Sequence, residues 1–331
     1  MTIVVYGAGD IGCYVGGRLL ASGSDVTFVG RRRMADELAD HGLRLSDYLG
    51  TDLRIEPGDL SYATSPAAAS RADLLLLTVK SAATATAADE LADVLKPDTV
   101  VISFQNGLRN GAILSTRLPA NTVLSGMVPF NVVNDAGGHF HQGTEGTLFV
   151  QRDPALTPYE RAFARAGLPL LEHDEILPVQ WAKLLLNLIN PINALSDLPM
   201  QTQLSQHAFR LCWAAALDEA MNLLAMAGIE PAQILRSPMS HLPDILRLPD
   251  FLYRRSDVLP RMDPLARTSM WQDLQAGQPT EIDYLNGEVV RLAESLGRTA
   301  PINARLVALV RAAERNRRTW TGPELLHELG R

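Results

Sequence analysis

Gly7-Ala8-Gly9-Asp10-Ile11-Gly12 has the spacing G-x-G-x-x-G, directly after the apolar run Thr2 to Tyr6 and before a helix-patterned stretch reaching about Ala21. In that setting the first glycine permits a tight turn and the second lets a pyrophosphate approach the backbone. The third allows close helix–strand packing, and the helix N-terminus presents N–H groups and a positive dipole to phosphate. A glycine-rich turn alone is a weak signal; its strand–loop–helix setting is what points to a dinucleotide. NAD sites place a carboxylate at the end of the second strand, whereas this chain has Phe28-Val29-Gly30-Arg31-Arg32-Arg33 there. A carboxylate would repel a ribose 2′-phosphate, while a guanidinium grips it in a two-pronged fork. NADP(H) is therefore expected over NAD(H), with Arg31 as its phosphate partner. The competing reading is a solvated turn that opens a helix.

A second set of polar residues lies in the C-terminal half. Lys183, Asn187 and Asn190 fall at i, i+4 and i+7, on one face of a helix expected from Leu177 to Asn190, with leucine and isoleucine around them. Such a stripe either needs a ligand, water or protein to satisfy it, or faces outward as an ordinary amphipathic surface. Ser269-Met270-Trp271-Gln272-Asp273 and Thr280-Glu281-Ile282-Asp283 form a further constellation. Thr280 with Asp283 reads as a variant capping box, which leaves Glu281 and Ser269 without a local task. His139 and His141 form H-x-H, but with no third ligand apparent a turn-flanking hairpin accounts for them and no metal is expected. Lys96 and Asp98 flank Pro97 in an ordinary turn, and Arg311, Arg315, Arg317 and Arg318 suit the last turns of a helix. Trp181, Trp213 and Trp271 read as core or cleft-lining residues.

The elements that must position these groups fall into two halves. Apolar runs at 2–6, 25–29, 73–79, 99–104 and 122–128 alternate with helical segments such as 83–95. Continuous runs, rather than strict alternation, mark strands covered on both faces, as in a parallel α/β sheet. Around Gly137 to Arg152 alternation sets in, and a hairpin closing the sheet edge is expected. Beyond about Leu171 helices dominate: 177–190, 207–227, 282–296 and 302–316. A stretch dotted with Pro231, Pro238, Pro243, Pro249, Pro260 and Pro264 permits only short helices. The expected fold is α/β, an N-terminal Rossmann-type doubly wound sheet (1–170) followed by an all-helical C-terminal domain (171–331).

The whole chain, 331 residues with 47% hydrophobic and 20% charged residues, can bury two cores. Its net charge of −7 excludes a generally basic surface that coats nucleic acid. Two cysteines, Cys13 and Cys212, form no metal or disulfide pattern. With no leader pattern and no long apolar run, a cytoplasmic protein without a membrane partner is expected.

Taken together, these residues resemble the ketopantoate reductase (2-dehydropantoate 2-reductase) family over nearly the whole chain. The resemblance is carried by the GAGDIG loop, Arg31, Thr78-Val79-Lys80-Ser81 and Gln105-Asn106-Gly107. It continues through Trp181-Ala182-Lys183-Leu184 with Asn187, Ser269-Met270-x-x-Asp273, Thr280 to Asp283, and Asn286-Gly287. It implies a Rossmann domain, a helical domain, and a cleft holding NADPH and a 2-oxo acid. By position, Lys183 matches the catalytic lysine and Glu281 its accompanying carboxylate. Asn187 and Ser269 match substrate-binding positions, while Lys80 and Asn106 match strand-end residues beside the nicotinamide. The pattern departs after Asn187, where Pro191 replaces the family's second Asn and Asn190 precedes it.

In the implied reaction Lys183 donates a proton to the emerging alkoxide and Glu281 holds the ammonium in place and charged. Asn187, Asn190, Asn106 and Ser269 are expected to meet the substrate; Gly7, Ala8, Gly9, Asp10, Ile11, Gly12, Arg31, Lys80 and Asn106 are expected to meet NADP(H). The substrate expected first is ketopantoate. Alternatives are another 2-oxo acid reduced in the same way and a non-catalytic NADPH sensor, and a homodimer built through the helical half is compatible with each.

Overall fold

The computed structural model describes residues 1–235, 237–256 and 266–331. It divides into two compact units, Met1–Ile176 and Leu177–Arg331. The Pro-dotted segment forms only short helices where it is described; Pro260 and Pro264 lie outside the described residues.

In the first unit the strands are β1 (Thr2–Tyr6), β2 (Asp25–Val29), β3 (Leu43–Asp47), β4 (Asp52–Ile55), β5 (Ser61–Ala63), β6 (Leu74–Leu77), β7 (Val100–Ser103), β8 (Thr122–Met127), β9 (Val132–Asn134), β10 (His139–Gln142), β11 (Leu148–Gln151) and β12 (Leu170–His173). Its helices are α1 (Asp10–Ala21), α2 (Arg32–His41), α3 (Thr84–Ala92), α4 (Asn110–Arg117) and α5 (Thr157–Arg165). An eight-stranded sheet runs β12-β11-β8-β7-β6-β1-β2-β5. Strands β8, β7, β6, β1, β2 and β5 pair in parallel. Its two faces are buried in separate clusters, Ile3, Val5, Leu74, Leu76 and Ile102 on one and Val4, Tyr6, Leu75, Leu77 and Val101 on the other. That double burial is why these strands read as unbroken apolar runs.

The expected hairpin within 137–152 does not form. Strand β10 pairs in parallel with β3 and antiparallel with β9 in a separate four-stranded sheet, β4-β3-β10-β9, whereas β11 pairs with β8 and β12 in the large sheet. Leu43, Leu45 and Phe140 are fully covered, and a Cβ on Gly17 of α1 would lie 2.8 Å from Leu45 Cδ1, so the absence of a side chain there lets the helix seat closely. Strand β12 carries the first unit past residue 170.

The second unit is helical: α6 (Ile176–Asn187, entering from the end of the first unit), α7 (Asn190–Ser196), α8 (Met200–Leu204), α9 (His207–Met226), α10 (Leu242–Arg247), α11 (Asp250–Tyr253), α12 (Ser269–Gln275), α13 (Asn286–Ser295), α14 (Pro301–Arg315) and α15 (Gly322–Glu328). Phe209, Cys212, Trp213 and Leu217 of α9 are buried, and α7, α10, α13, α14 and α15 pack against that helix. Among the described residues no helix is long and apolar enough to cross a membrane.

Candidate active site

The large sheet reverses direction of winding at β1, whose neighbours are β2 on one side and β6 on the other. A crevice outside the carboxyl ends of the strands at such a switch point is where open α/β sheets bind ligands. Tyr6, Val29, Leu77 and Ser103 are in register there, so the loops carrying Gly7, Arg31, Lys80 and Asn106 leave the same sheet edge.

Each glycine of the first loop has a distinct physical reason. Gly7 has φ +110, a left-handed value, and its N–H and that of Ala8 both donate to Val29 O, at 2.8 and 3.1 Å. A Cβ on Gly12 would collide with Gly7 O and lie 2.7 Å from Thr78 Oγ1, so Gly12 lets α1 sit against the strand ends. Gly9, by contrast, has among the described residues nothing within 4 Å of where a Cβ would stand, its chain neighbours aside. It is the N-cap of α1 and supplies no side-chain cap, so Gly9 keeps clear the space in front of the helix's N-terminal amides. Ala8, Asp10 and Ile11 complete this turn. The cradle fits a dinucleotide pyrophosphate.

Arg31 is exposed at the N-cap of α2, and no ion pair engages its guanidinium among the described residues. Its backbone oxygen accepts from Tyr62 Oη at 3.1 Å, which fixes where the side chain starts. Arg32 differs: it pairs with Asp36 at 2.8 Å along the helix surface. Of the three arginines, the one nearest the strand end is thus unengaged by a carboxylate and suited to a phosphate.

Beyond β6 and β7 a polar network joins the two loops. Asn110 Nδ2 donates to Asn106 O at 2.6 Å and to Ser81 Oγ at 3.2 Å, and Ser81 Oγ donates to the same Asn106 oxygen at 2.7 Å. Thr84 Oγ1 donates to Asn110 Oδ1 at 2.8 Å, and Gln105 Nε2 donates to Thr84 Oγ1 at 2.8 Å and Val79 O at 2.9 Å. Ser103 Oγ donates to Gln105 Oε1 at 2.9 Å. Ser81, Thr84, Ser103, Gln105 and Asn110 are all buried. Lys80, exposed just before Ser81, and half-buried Asn106 are therefore presented by a fully hydrogen-bonded support. The sequence reading passed over Thr84 and Asn110, which carry no motif of their own.

In the second unit the expected polar stripe is interrupted. Helix α6 ends at Asn187, two turn residues follow, and Asn190 opens α7, with Pro191 in its first turn. Proline has no N–H to give to Asn187 O four residues back, and its ring crowds that carbonyl, so the helix stops and restarts. Lys183 and Asn187 share the helix α6; Asn190, buried, does not continue it. The restart brings Asn193, fully buried, into a coupling role. Its Oδ1 accepts from Thr268 N at 3.0 Å and Thr268 Oγ1 at 3.2 Å, and its Nδ2 donates to Gln203 Oε1 at 2.7 Å. Thr268 in turn caps α12 by accepting from Trp271 N, so Asn193 fixes the helix start that presents exposed Ser269.

The capping box expected from Thr280 and Asp283 is also not the arrangement found. Thr280 N and Oγ1 both donate to Glu314 Oε1, at 2.8 and 2.7 Å, and Asp283 pairs with Arg311 at 2.6 Å. A carboxylate on α14 outcompetes the local one and anchors the chain immediately before half-buried Glu281. Arg317 and Arg318 also leave the helix-end role, Arg317 reaching Asp197 and Gln275 and Arg318 stacking on Trp320. Lys183 is half-buried, and its burial pushes the ammonium down from 10.5 to about 8. A group that still carries its proton at neutral pH yet releases it readily is suited to general acid work.

Comparison with known proteins follows the same division. Residues 3–154 match the family model described as ketopantoate reductase PanE/ApbA, and residues 175–314 match its C-terminal counterpart. A 2-dehydropantoate 2-reductase of Pyrococcus horikoshii is 29% identical over 95% of this chain and 98% of its own. The crystal structure of a PanE/ApbA family ketopantoate reductase from Ralstonia eutropha superposes with TM-score 0.81 at 28% identity, covering 96% of this chain and 99% of that one. D-mandelate dehydrogenase, solved with NADH and anilino(oxo)acetate, shares the fold, with TM-score 0.78 at 21% identity over 95% and 99% of the two chains. With both halves matched by the two models of one family, the chain belongs to the ketopantoate reductase PanE/ApbA family of oxidoreductases.

Proposed function

We propose that the chain reduces a 2-oxo acid, ketopantoate first among the candidates, with NADPH as reductant. The observation that carries this reading is a half-buried lysine, Lys183, whose burial pushes it down to about 8, in a chain whose other unit carries an open glycine cradle directly after β1. Bound NADPH supplies the hydride. Gly7, Gly9 and Gly12 shape the turn against which the pyrophosphate rests, and Arg31 pairs with the 2′-phosphate. Lys80 and Asn106, held by the Asn110 network, orient the nicotinamide end. Lys183 gives its Nζ proton to the carbonyl oxygen as charge develops there, and its positive charge stabilises that oxygen beforehand. Glu281 keeps the ammonium oriented, and Asn187, Asn190 and Ser269 offer neutral partners to the substrate's carboxylate and hydroxyl.

A second reading keeps the chemistry and changes the acid. It is favoured by the break between α6 and α7, which sets Asn190 on a different helix from Lys183. A sensor that binds NADPH without turnover has no use for a desolvated ammonium. Initial rates of NADPH oxidation over a panel of 2-oxo acids decide among them. Turnover of ketopantoate far above the rest is expected; preference for another acid selects the second reading, and tight binding without turnover overturns both.

A further inference from the structure

Outside the reductase site, the polar face of the four-stranded sheet gathers the two histidines that the function does not use. Strand alternation puts His139 and His141 on one face, and parallel pairing sets Ser46 of β3 directly opposite His141. His139 Nε2 and His141 Nδ1 both point at the Ser46 hydroxyl oxygen, at 2.8 and 2.7 Å. The other nitrogen of His139 faces Asp135 Oδ2 at 3.4 Å. The turn between the strands makes that approach. Ala136, Gly137 and Gly138 have φ of 63, 62 and 70, and this left-handed run curls Asp135 back until its N–H donates to His139 O at 3.0 Å.

The Ser46 hydroxyl has one proton, so it donates to one of these two ring nitrogens and accepts from the N–H of the other. Two imidazole nitrogens thus converge on one point, with the Asp135 carboxylate behind the His139 ring. A carboxylate behind an imidazole is the outer support that metal-ligating histidines use. We propose that His139 and His141 are a two-imidazole site for an exchangeable divalent transition-metal ion of the imidazole-preferring kind, Cu²⁺, Ni²⁺ or Zn²⁺, with Asp135 as the supporting carboxylate. On binding, the Ser46 hydroxyl turns aside, and the ring that carried its proton on the nitrogen facing Ser46 shifts it through water to its other nitrogen, so that both rings stay neutral and both present a lone pair to the ion.

The charges facing the site allow a cation. Arg44, opposite His139, is held by Asp52 in a two-pronged pair at 2.8 and 3.0 Å, and Asp135 adds a negative charge. Among the described residues no group of three or more His, Cys, Asp and Glu converges, so water completes the coordination shell and the ion exchanges freely.

The test is titration of the untagged full chain with CuCl₂ at neutral pH, with glycine as a competitor for weak surface sites. One equivalent is expected to bind, and pulsed electron paramagnetic resonance of that ion should show two inequivalent imidazole nitrogens. Ala at His139 or His141 should weaken binding at least tenfold, and Asp135→Asn about tenfold. Ser46→Ala should bind at least as tightly, because no hydroxyl has to turn aside. The proposal is overturned if the folded wild-type chain fails to bind under glycine, if its spectrum shows fewer than two imidazoles, or if the double alanine variant binds as well as wild type.

Discussion

The side-chain amide of Asn110 donates to the backbone oxygen of Asn106 at 2.6 Å, closing a turn over the end of β7 from inside the protein. Alanine at 110 would leave Thr84 Oγ1 and Ser81 Oγ with one partner fewer and remove one donor to the Asn106 oxygen. A buried group deprived of its partner costs about 1–3 kcal/mol. Asn110→Ala should lower thermal stability by that amount and raise KM for NADPH with a smaller effect on kcat. Asn110→Asp, which keeps the acceptor, should lose the bond to Asn106 and show the same KM shift. An unchanged KM in a folded variant would remove the loop support from the account.

Gly9 and Gly12 separate cofactor space from packing space. A methyl at Gly12 meets Gly7 O and Thr78 Oγ1, so Gly12→Ala should destabilise the fold by about 1–3 kcal/mol. Among the described residues a methyl at Gly9 meets no atom within 4 Å beyond its chain neighbours, so Gly9→Ala should melt near the wild-type temperature while binding NADPH many-fold more weakly. Melting curves with and without NADPH read both effects; normal NADPH binding by Gly9→Ala would show that the cradle is not the pyrophosphate site.

Arg31→Ala should weaken NADPH at least tenfold, since a charge-assisted pair is worth about 1.5–3 kcal/mol, and leave NADH nearly untouched. Among the described residues the side chain engages no carboxylate, so the melting temperature should not move. Arg32→Ala loses only an exposed helix pair with Asp36, and both cofactors should bind it as they bind the wild type. Equal losses of the two cofactors in Arg31→Ala would contradict the phosphate role.

With Lys183 at about 8, the proton donor is present below that pH and lost above it. The rate of reduction should therefore fall as pH rises through about 8, and the reverse oxidation, which needs the free amine, should rise over the same range. The sign for stability is opposite to that of a favourable pair. Between pH 8 and 10.5 the unfolded chain holds a proton on this lysine that the folded chain does not, so this residue makes stability increase with pH there. Lys183→Met should abolish that slope; a slope unchanged in the variant would mean that the burial is not felt.

Much of this was legible in the residues, for identifiable reasons. Strands β1, β2, β6, β7 and β8 lie under cover on both faces, so their apolar runs stand out. Strands β3, β4, β9 and β10 do not stand out, because one face is polar and carries Arg44, Asp52, Ser46 and His141, and because β3 meets β10 some way along the chain. The pattern of Leu184 to Ile189 continues through the helix break; only Pro191 marks it. Asn193, Asn110 and Glu314 were missed because their partners, Thr268, Thr84 and Thr280, come from distant segments, and period counting is blind to polar pairing across a core.

The most direct test of the central claim is the single-turnover rate of Lys183→Ala with saturating NADPH and ketopantoate, alongside its NADPH dissociation constant. Loss of a general acid should slow the hydride-transfer step by roughly 10²–10⁴ while the dissociation constant stays close to wild type. A variant that transfers hydride at the wild-type rate would contradict the assignment of Lys183 as the proton donor.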